Sequence, residues 1–390
     1  MTTVRVLRPG LLTLVQDLGR RGYEEWGVGV GGVVDEWAAF WANWLLRNFV
    51  TAALLEVTGI GGELEIVEGG PLARAGADFE VRIDGEKWEN GTAVNLPVGA
   101  RVRFGRRLSG LRCYLAFPGG IDVPLVLHSR STDMAAGWGG YGGHPLRVND
   151  RVCSRSDSMG IRATSHTTVR ISRTLRVLPG ARLERFPPGA FTRILTRQFV
   201  VSPESSAAGI RLQGSLGLRL SGSWPSEGMA IGAVQCLPGG EPLILLKNRG
   251  TIGGYPVVAH VIRADWPALA QLCPGDAIQF EPVSEESALL SLARQRQCLG
   301  ALCRVKNWEI PAPFDGLVDA RDIYGRTLAS QGEWVYPGQL LFYLRSLGYS
   351  TPILAPVEGL LTHVLGPGAL AREGVCMYVI RQEVAGDAPD

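Results

Sequence analysis

The sequence predicts a mainly β protein made of barrel or sandwich domains. Short apolar runs recur at intervals of roughly ten residues from 54 to 155, and Gly, Pro or Asp separates them. The chain contains 51 Gly and 24 Pro without a repeat period, which favours many turns. Hydrophobic residues make up 46% of its 390 residues, which is enough to fill large cores. Together these observations favour many short strands over disorder.

The first elements alternate between strand and helix. Residues 3–17 are expected to form a strand, a turn at Pro9-Gly10 and a second strand. Residues 35–48 carry apolar side chains at helical spacing, and Asp35 can cap the first turn of that helix. The tryptophans of this helix are expected to pack in the core or at an interface.

Later segments suggest domain boundaries. Residues 154–170 are polar and predict a linker, and a second strand-rich block runs from 171 to 283 with one helical stretch at 264–272. A further helix is expected at 284–299, with Ser284 as its cap. The predicted division is a first β subdomain at 1–165, a second at 166–284, a helical linker at 285–307 and a third domain at 308–383.

Composition narrows the function classes. The formal net charge is +2 and no run of Lys or Arg occurs, so we expect neither nucleic acid nor a membrane surface as a partner. A small-molecule substrate is expected instead. The seven cysteines include no CxxC pair, which argues against a disulfide framework or a metal site. With no signal peptide and no long apolar segment, the sequence predicts a cytoplasmic protein.

The last block contains a quasi-repeat. Residues 312–316 (APFDG) match residues 355–359 (APVEG), and each copy precedes a second glycine turn. This pattern resembles biotinyl and lipoyl carrier domains, which are flattened β-barrels with a lysine at the hairpin between the halves. Here that position falls on Gly348, and no lysine occurs from 308 to the C-terminus. An amide tether needs a primary amine, so we expect no attached biotin. We also expect no other cofactor and no metal.

Four motifs cover most of residues 1–285. They are LVQDLGRRG at 14–22, GGIDVP at 119–124 followed by SRST at 129–132, SEG at 226–228, and TIGGYP at 251–256. In this order they resemble the KipA family, also called allophanate hydrolase subunit 2 or the 5-oxoprolinase C-subunit, and the carboxyltransferase region of urea carboxylase. The resemblance implies two cyclophilin-like β-barrels.

Candidate site residues lie within and beside these motifs. Arginine offers planar donors suited to a carboxylate, and glycine pairs allow backbone N–H groups to approach an oxyanion closely. Two histidines that titrate near neutral pH could exchange protons. The predicted catalytic residues are Asp17, His128 and His144. The predicted substrate-binding residues are Gln16, Arg20, Arg130, Ser131, Thr132, Asn248, Gly253, Gly254 and Tyr255.

Several positions depart from the family pattern. Asn248 stands where the family usually has Asp, Gly250 where it has Gln, and Ile252 where it has Thr. His128 replaces a usual Gly and His144 a usual Arg. The loss of these polar side chains around 248–252 and the missing carrier lysine are mutually consistent. They suggest that biotin-dependent carboxyl transfer has been lost.

Three functions remain open. The first is a biotin-independent enzyme that performs cyclisation, decarboxylation, rearrangement or hydrolysis on a carboxylate- or carbonyl-bearing small molecule. The second is a subunit of an ATP-dependent amidohydrolase resembling 5-oxoprolinase or allophanate hydrolase, completed by a KipI-like partner chain or a homo-oligomer. No GxxxxGK[ST] motif occurs, so ATP would bind elsewhere. The third is a non-catalytic regulatory or binding protein.

Overall fold

The structure is a computed structural model. It describes the chain except for eleven segments: 156–159, 163–170, 219–223, 312–315, 320–333, 336–338, 347–348, 355–358, 365–369, 372–375 and 386–390. The chain divides into two compact units, Met1–Gln297 and Cys298–Asp390. The division falls inside the segment at 285–307 that the sequence assigns to a helical linker.

The first half of the N-terminal unit is one curled sheet of nine strands. Along its main path the order is β2-β3-β8-β4-β1-β9, and β5 joins β8 and carries β6 and β7. The strands are β1 (Thr3–Arg8), β2 (Leu12–Gln16), β3 (Leu54–Thr58), β4 (Glu63–Glu68), β5 (Gly70–Ile83), β6 (Glu86–Lys87), β7 (Thr92–Leu96), β8 (Arg101–Ala116) and β9 (Arg151–Cys153).

The two longest strands give this sheet its curvature. β5 and β8 pair over most of their length through three register shifts, and such bulges bend a sheet. In the described strands the edges β2 and β9 do not pair, so the sheet is an open half-barrel and not the closed barrel that the sequence predicts. Inward side chains such as Val4, Val81 and Leu115 fill one core on its concave side.

Helix α1 (Glu36–Leu45) begins where the sequence predicts it. The Asp35 side chain accepts a hydrogen bond from the backbone N–H of Ala38, which satisfies one of the free donors of the first turn. Trp41 and Trp44 are buried and pack edge to face with ring centroids 5.1 Å apart. The prediction that these tryptophans pack inside the protein is confirmed.

The second half of the N-terminal unit is a closed seven-stranded barrel in the order β10-β17-β14-β15-β12-β11-β18, with a separate pair β13-β16. Its elements are β10 (Thr174–Pro179), α2 (Ala190–Leu195), β11 (Gln198–Val201), β12 (Gly209–Gln213), β13 (Glu227–Gly228), β14 (Ala233–Cys236), β15 (Pro242–Leu245), β16 (Ile252–Gly253), β17 (Val257–Val261), α3 (Trp266–Gln271) and β18 (Ala277–Pro282). The prediction of a barrel in this half is confirmed.

Helix α4 (Glu285–Leu302) follows the barrel, and the Ser284 hydroxyl accepts the N–H of Ser287 as the predicted cap. The C-terminal unit contains two four-stranded sheets, β19-β26-β24-β21 and β23-β22-β20-β25. Its strands are β19 (Cys303–Pro311), β20 (Gly316–Asp319), β21 (Trp334–Val335), β22 (Leu340–Ser346), β23 (Tyr349–Leu354), β24 (Gly359–Val364), β25 (Leu370–Ala371) and β26 (Cys376–Ala385).

The mainly β class is therefore confirmed, whereas the biotinyl-like fold of the third domain stays a prediction. Across the described ranges, no helix is both long enough and apolar enough to cross a membrane.

Candidate functional site

Asp17 ties together two loops of the first half-barrel. Its Oδ1 atom accepts hydrogen bonds from Gly19 N at 2.8 Å and from the hydroxyls of Ser129 and Ser131, both at 2.6 Å. Its Oδ2 atom accepts the backbone N–H of Arg130 at 2.5 Å. The sequence suggests Asp17 as a base, but the structure uses its carboxylate to fix the loop at 129–132 beside the end of β2. This arrangement suits a positioning role better than proton transfer.

The hydroxyls of the same loop also have protein partners. Thr132 Oγ1 donates to Val15 O at 2.9 Å, and the backbone N–H of Thr132 donates to the same carbonyl at 3.0 Å. Ser131 Oγ donates to Asp17 and accepts the Asp17 N–H at 2.9 Å. Both side chains are completely buried. Ser131 and Thr132 therefore shape the loop, although the sequence predicts them as substrate donors.

Of the two arginines in the motif at 14–22, Arg20 is the one whose guanidinium is buried and keeps unused hydrogen-bond donors. Its residue exposure is 1%, and Nη2 donates to Ser131 O. Nη1 lies 4.0 Å from an oxygen of Asp133, and burial lowers the pKa of Arg20 against the opposing charge of Asp17. Neither Nε nor Nη1 donates a hydrogen bond to any residue that the structure describes. Buried donors without partners cost about 1–3 kcal/mol each, so they indicate a place for a ligand or water.

Gln16 adds an acceptor on the neighbouring strand end. Its Nε2 atom donates a long hydrogen bond of 3.5 Å to Thr132 O, while its Oε1 atom has no partner among the described residues. Gln16 is 2% exposed. Gln16 and Arg20 thus bond to the consecutive carbonyls of Thr132 and Ser131, and each keeps unused hydrogen-bonding capacity.

Gly31 lies where residues of the barrel contact this site. A Cβ atom on Gly31 would lie 3.2 Å from Arg20 Nη1 and 3.8 Å from Asn248 Oδ1, so these two atoms face a common space. The Gly31 N–H donates to Lys247 O at 3.2 Å, and φ is +63° at this glycine. The structure therefore brings predicted residues Arg20 and Asn248 together across a backbone that has no side chain.

Two charged residues that the sequence did not single out lie beside this junction. Lys247 is fully buried, and its Nζ donates to Glu36 Oε1 at 2.7 Å and to Leu18 O at 3.3 Å. Arg21 and Arg263 also bind the Glu36 carboxylate, at 3.2 and 3.1 Å. Burial alone would raise the pKa of Glu36, but Lys247 and the two arginines lower it to about 2. The one feature of the sequence that could have indicated Lys247 is its place directly after the apolar run 242–246.

A second buried network joins the two halves on the other side of α1. Gln271 Nε2 donates to Asp35 Oδ2 at 2.6 Å, and Gln271 Oε1 accepts the N–H of Arg112 at 3.0 Å. Tyr114 OH donates to Glu56 at 2.9 Å and accepts the Asp35 N–H at 3.2 Å. Burial raises the pKa of Asp35 to about 6 against the hydrogen bond from Gln271. This network holds the half-barrel against the barrel.

The predicted histidines each contact a residue near them in the chain or an aromatic ring. The His128 ring stacks on Tyr23 with centroids 6.3 Å apart, and φ at His128 is +59°. His144 Nδ1 lies 2.8 Å from Pro145 O, which fits an Nδ1–H donor and leaves Nε2 as an acceptor. The backbone N–H of Arg130 binds Asp17, whereas its side chain donates from Nε to Val123 O at 3.0 Å.

The remaining predicted residues belong to the barrel and to the C-terminal unit. Gly253 pairs with Glu227 in the β13-β16 ribbon, and the nearest side chains around it are Met229 and Gln235. Gly254 lies beside Ser226, and Tyr255 is exposed. Gly253 therefore lies in this separate ribbon, and Gly254 and Tyr255 directly follow it. Among the described residues, no cluster of three His, Cys, Asp or Glu side chains could hold a metal.

Gly348, the predicted degenerate carrier position, lies outside the described residues. The strands on either side of it, β22 and β23, pair as a hairpin from Ser346–Tyr349 to Leu340–Leu354. None of their side chains is a primary amine. The residues around this hairpin therefore do not fit an amide-linked biotin.

Comparison with known proteins identifies the N-terminal unit. The family described as carboxyltransferase domain, subdomain A and B, matches residues 26–282. The 5-oxoprolinase C-subunit of Escherichia coli is 35% identical over 298 residues, which cover 75% of this chain and 95% of that protein. The corresponding protein of Haemophilus influenzae is 30% identical over 70% of this chain and 89% of its own length.

A solved structure agrees with these matches. The crystal structure of the Kluyveromyces lactis urea amidolyase superposes with a TM-score of 0.69 and 27% identity, and the match covers 76% of this chain but 20% of that much longer one. The resemblance drawn from the four sequence motifs is confirmed. The chain belongs to the carboxyltransferase domain family with subdomains A and B.

Proposed function

We propose that this chain is the carboxyltransferase-fold subunit of an ATP-dependent amidohydrolase and that it binds a carboxylate- or carbonyl-bearing small molecule at Arg20. The observation that carries the proposal is the buried guanidinium of Arg20, whose Nε and Nη1 donate no hydrogen bond to any described residue, although Nη1 lies 4.0 Å from the Asp133 carboxylate. In a site of low dielectric, such preorganised donors stabilise developing negative charge strongly. The match to two proteins named as the C-subunit of 5-oxoprolinase supports this reading.

In this mechanism the described residues bind and orient the substrate. Arg20 donates to a carbonyl or carboxylate oxygen, and Gln16 Oε1 can accept an N–H of the same molecule. Asp17 holds the loop at 129–132 in register with Arg20 through its four hydrogen bonds. Asn248 closes the site from the barrel but, unlike the family's aspartate, cannot act as a base.

Partner and cofactor follow from what the chain lacks. The sequence has no phosphate-binding GxxxxGK[ST] motif, so a KipI-like partner chain is proposed to complete the enzyme and the ATP site. No step is assigned to biotin, because the carrier hairpin offers no lysine. A biotinyl-like fold for the two sheets of the C-terminal unit is retained as part of the proposal, as is a cytoplasmic location.

Reconstitution tests the proposal. The full chain would be co-expressed with KipI-like candidates, and ATP hydrolysis dependent on 5-oxoproline or allophanate would be measured in the purified complex. We expect Arg20→Lys, which keeps the charge but loses the planar donors, to lower turnover about 10- to 100-fold. Arg103→Lys, at an arginine that is 60% exposed and pairs with Glu63, is the matched control and should not change the rate.

A second function is favoured by one contact, the stacking of His128 on Tyr23 beside Ser129 and Arg130. A histidine held there could exchange protons with a substrate on Arg20, and the chain would then act without a partner. Turnover by the isolated chain that His128→Ala abolishes would support this function. Turnover found only in a complex, and unchanged by His128→Ala, would exclude it.

A further inference from the structure

Lys247 contacts both ends of the loop at 18–31 that carries Arg20. Its ammonium group donates to Leu18 O at 3.3 Å, and its own backbone carbonyl accepts the Gly31 N–H at 3.2 Å. Arg20 lies between these two points and is itself held by a hydrogen bond from its N–H to Val30 O at 2.7 Å. The residue after Lys247 is Asn248, whose side chain faces Arg20 across Gly31. One lysine therefore sets the spacing between the two sides of the site.

The Glu36 carboxylate completes this connection. It binds Lys247 from the barrel and Arg21, the neighbour of Arg20, from the half-barrel. Arg263 from the barrel provides a third cation. The ammonium of Lys247 is fully buried, whereas Arg21 and Arg263 remain partly exposed. We name the pair Lys247–Glu36, with Leu18 O, the clasp.

Energetics argue that the clasp does more than stabilise. Moving an ammonium group out of water costs several kcal/mol, and an apolar side chain of similar size packs as well or better at many such positions. What an apolar residue cannot do is point a donor at both a carboxylate and a main-chain carbonyl. A pair of this kind, with the ammonium buried and the Glu36 side chain 26% exposed, can supply geometric specificity.

We propose that Lys247 is a positioning residue that fixes Arg20 relative to Asn248 through the clasp. The inference rests on the proposed function where it names these two residues as ligand contacts. The distance that the clasp sets is a property of the chain alone. It can therefore be tested without any substrate.

The test uses the accessibility of Arg20 to phenylglyoxal, read residue by residue by peptide mass spectrometry on the full chain. Arg20 and Arg74 are each 1% exposed, but among the described residues Arg74 contacts only groups of the half-barrel, including three carbonyls, the Asp78 carboxylate at 3.8 Å and the Trp88 ring. In Lys247→Met we expect Arg20 to be labelled about tenfold faster while Arg74 keeps its rate, because only the loop at 18–31 is released. Lys87→Met, at a lysine that is 63% exposed, is the matched substitution and should change neither rate.

Two further variants protect the result against misfolding. Glu36→Gln keeps the shape of the clasp and should raise Arg20 labelling less than Lys247→Met does. Lys247→Arg restores a cation and should return most of the protection, which a purely space-filling role would not require. Unchanged Arg20 labelling in both Lys247→Met and Glu36→Gln would overturn the proposal, and so would a parallel rise at Arg20 and Arg74. Full activity of Arg20→Lys in the reconstituted complex would overturn the proposed function alone, because the labelling rates are measured without substrate.

Discussion

Two buried arginines of the half-barrel show how structure and function use the same side chain. Arg74 donates to the carbonyls of Glu89, Phe79 and Trp88, and its guanidinium also lies 5.7 Å from the Trp88 ring. The side chain of Arg20, equally buried, donates to one carbonyl and keeps two nitrogens that donate no hydrogen bond to any described residue.

The difference teaches that burial alone does not identify a site. Burial with all three guanidinium nitrogens engaged is a structural feature, since Arg74 supplies a donor to each of three main-chain carbonyls. Burial with donors left over costs stability that folding does not recover, and such a cost is tolerated where a ligand restores it. The following predictions test this contrast.

The largest effect is expected at Arg74. Arg74→Met would remove the donor that Arg74 supplies to the carbonyls of the buried residues Phe79 and Trp88, and the N-terminal unit should lose about 3–5 kcal/mol of its free energy of unfolding. Denaturant-dependent hydrogen exchange of strands β5 and β8 measures this loss. A change below about 1 kcal/mol would show that the carbonyl contacts of Arg74 contribute little, and the contrast with Arg20 would fail.

The neighbours Asp35 and Glu36 give opposite pH dependences. The pKa of Glu36 is lowered to about 2, so its stabilisation is present above its usual value of 4.5 and is lost as pH falls towards 2. The pKa of Asp35 is raised to about 6, so its contribution is present below its usual value of 3.8 and is lost as pH rises through 6. Denaturant midpoints measured from pH 2 to 8 should therefore fall on both sides of a maximum.

Two variants separate the decline of stability on the acid side from the decline at higher pH. Glu36→Gln should flatten the decline on the acid side, and Asp35→Asn should flatten the change between about pH 4 and 6. Asp35→Asn should also lower stability at all pH values, because its amide places an N–H against the donor of Gln271 or of Ala38. An acid limb that is unchanged in Glu36→Gln would remove the ion pair from the explanation.

A smaller effect is expected at Gly31. Gly31→Ala places a methyl group 3.2 Å from Arg20 Nη1 at a φ of +63°, and this conformation alone costs about 1–2 kcal/mol in an L-residue. Gly22→Ala is the matched control, because Gly22 also has positive φ, +87°, but no atom lies within 4 Å of its Cβ position. Both variants should lose similar stability. Only Gly31→Ala should also abolish the reconstituted activity.

The sequence predicted what depends on local patterns. Capping and apolar spacing located α1 and its Asp35 cap, and turn residues predicted a strand-rich block at 171–283, where the barrel lies. The motifs also brought Gln16, Arg20 and Ser131 into one region. These results required only neighbours in the chain or a family pattern.

What the sequence could not predict depends on contacts between distant residues. Lys247 and Glu36 are 211 positions apart, and neither carries a pattern that indicates the other. Likewise, nothing local shows that the hydroxyls of Ser131 and Thr132 bond to Asp17 and Val15 and not to a ligand. Closure of the half-barrel also failed as a prediction, because whether the edge strands β2 and β9 pair depends on contacts between residues far apart in the chain.

The smallest change in stability is expected at Arg20 itself. Arg20→Met removes one hydrogen bond to Ser131 O but also removes two buried donors that have no partner among the described residues, and these effects oppose each other. We expect a net change within about 1 kcal/mol, measured by the same hydrogen exchange as for Arg74→Met, together with complete loss of the reconstituted activity. A loss as large as that of Arg74→Met would mean that Arg20 is a structural residue after all. The unsatisfied nitrogens would then reflect strain in the loop and not a place for substrate.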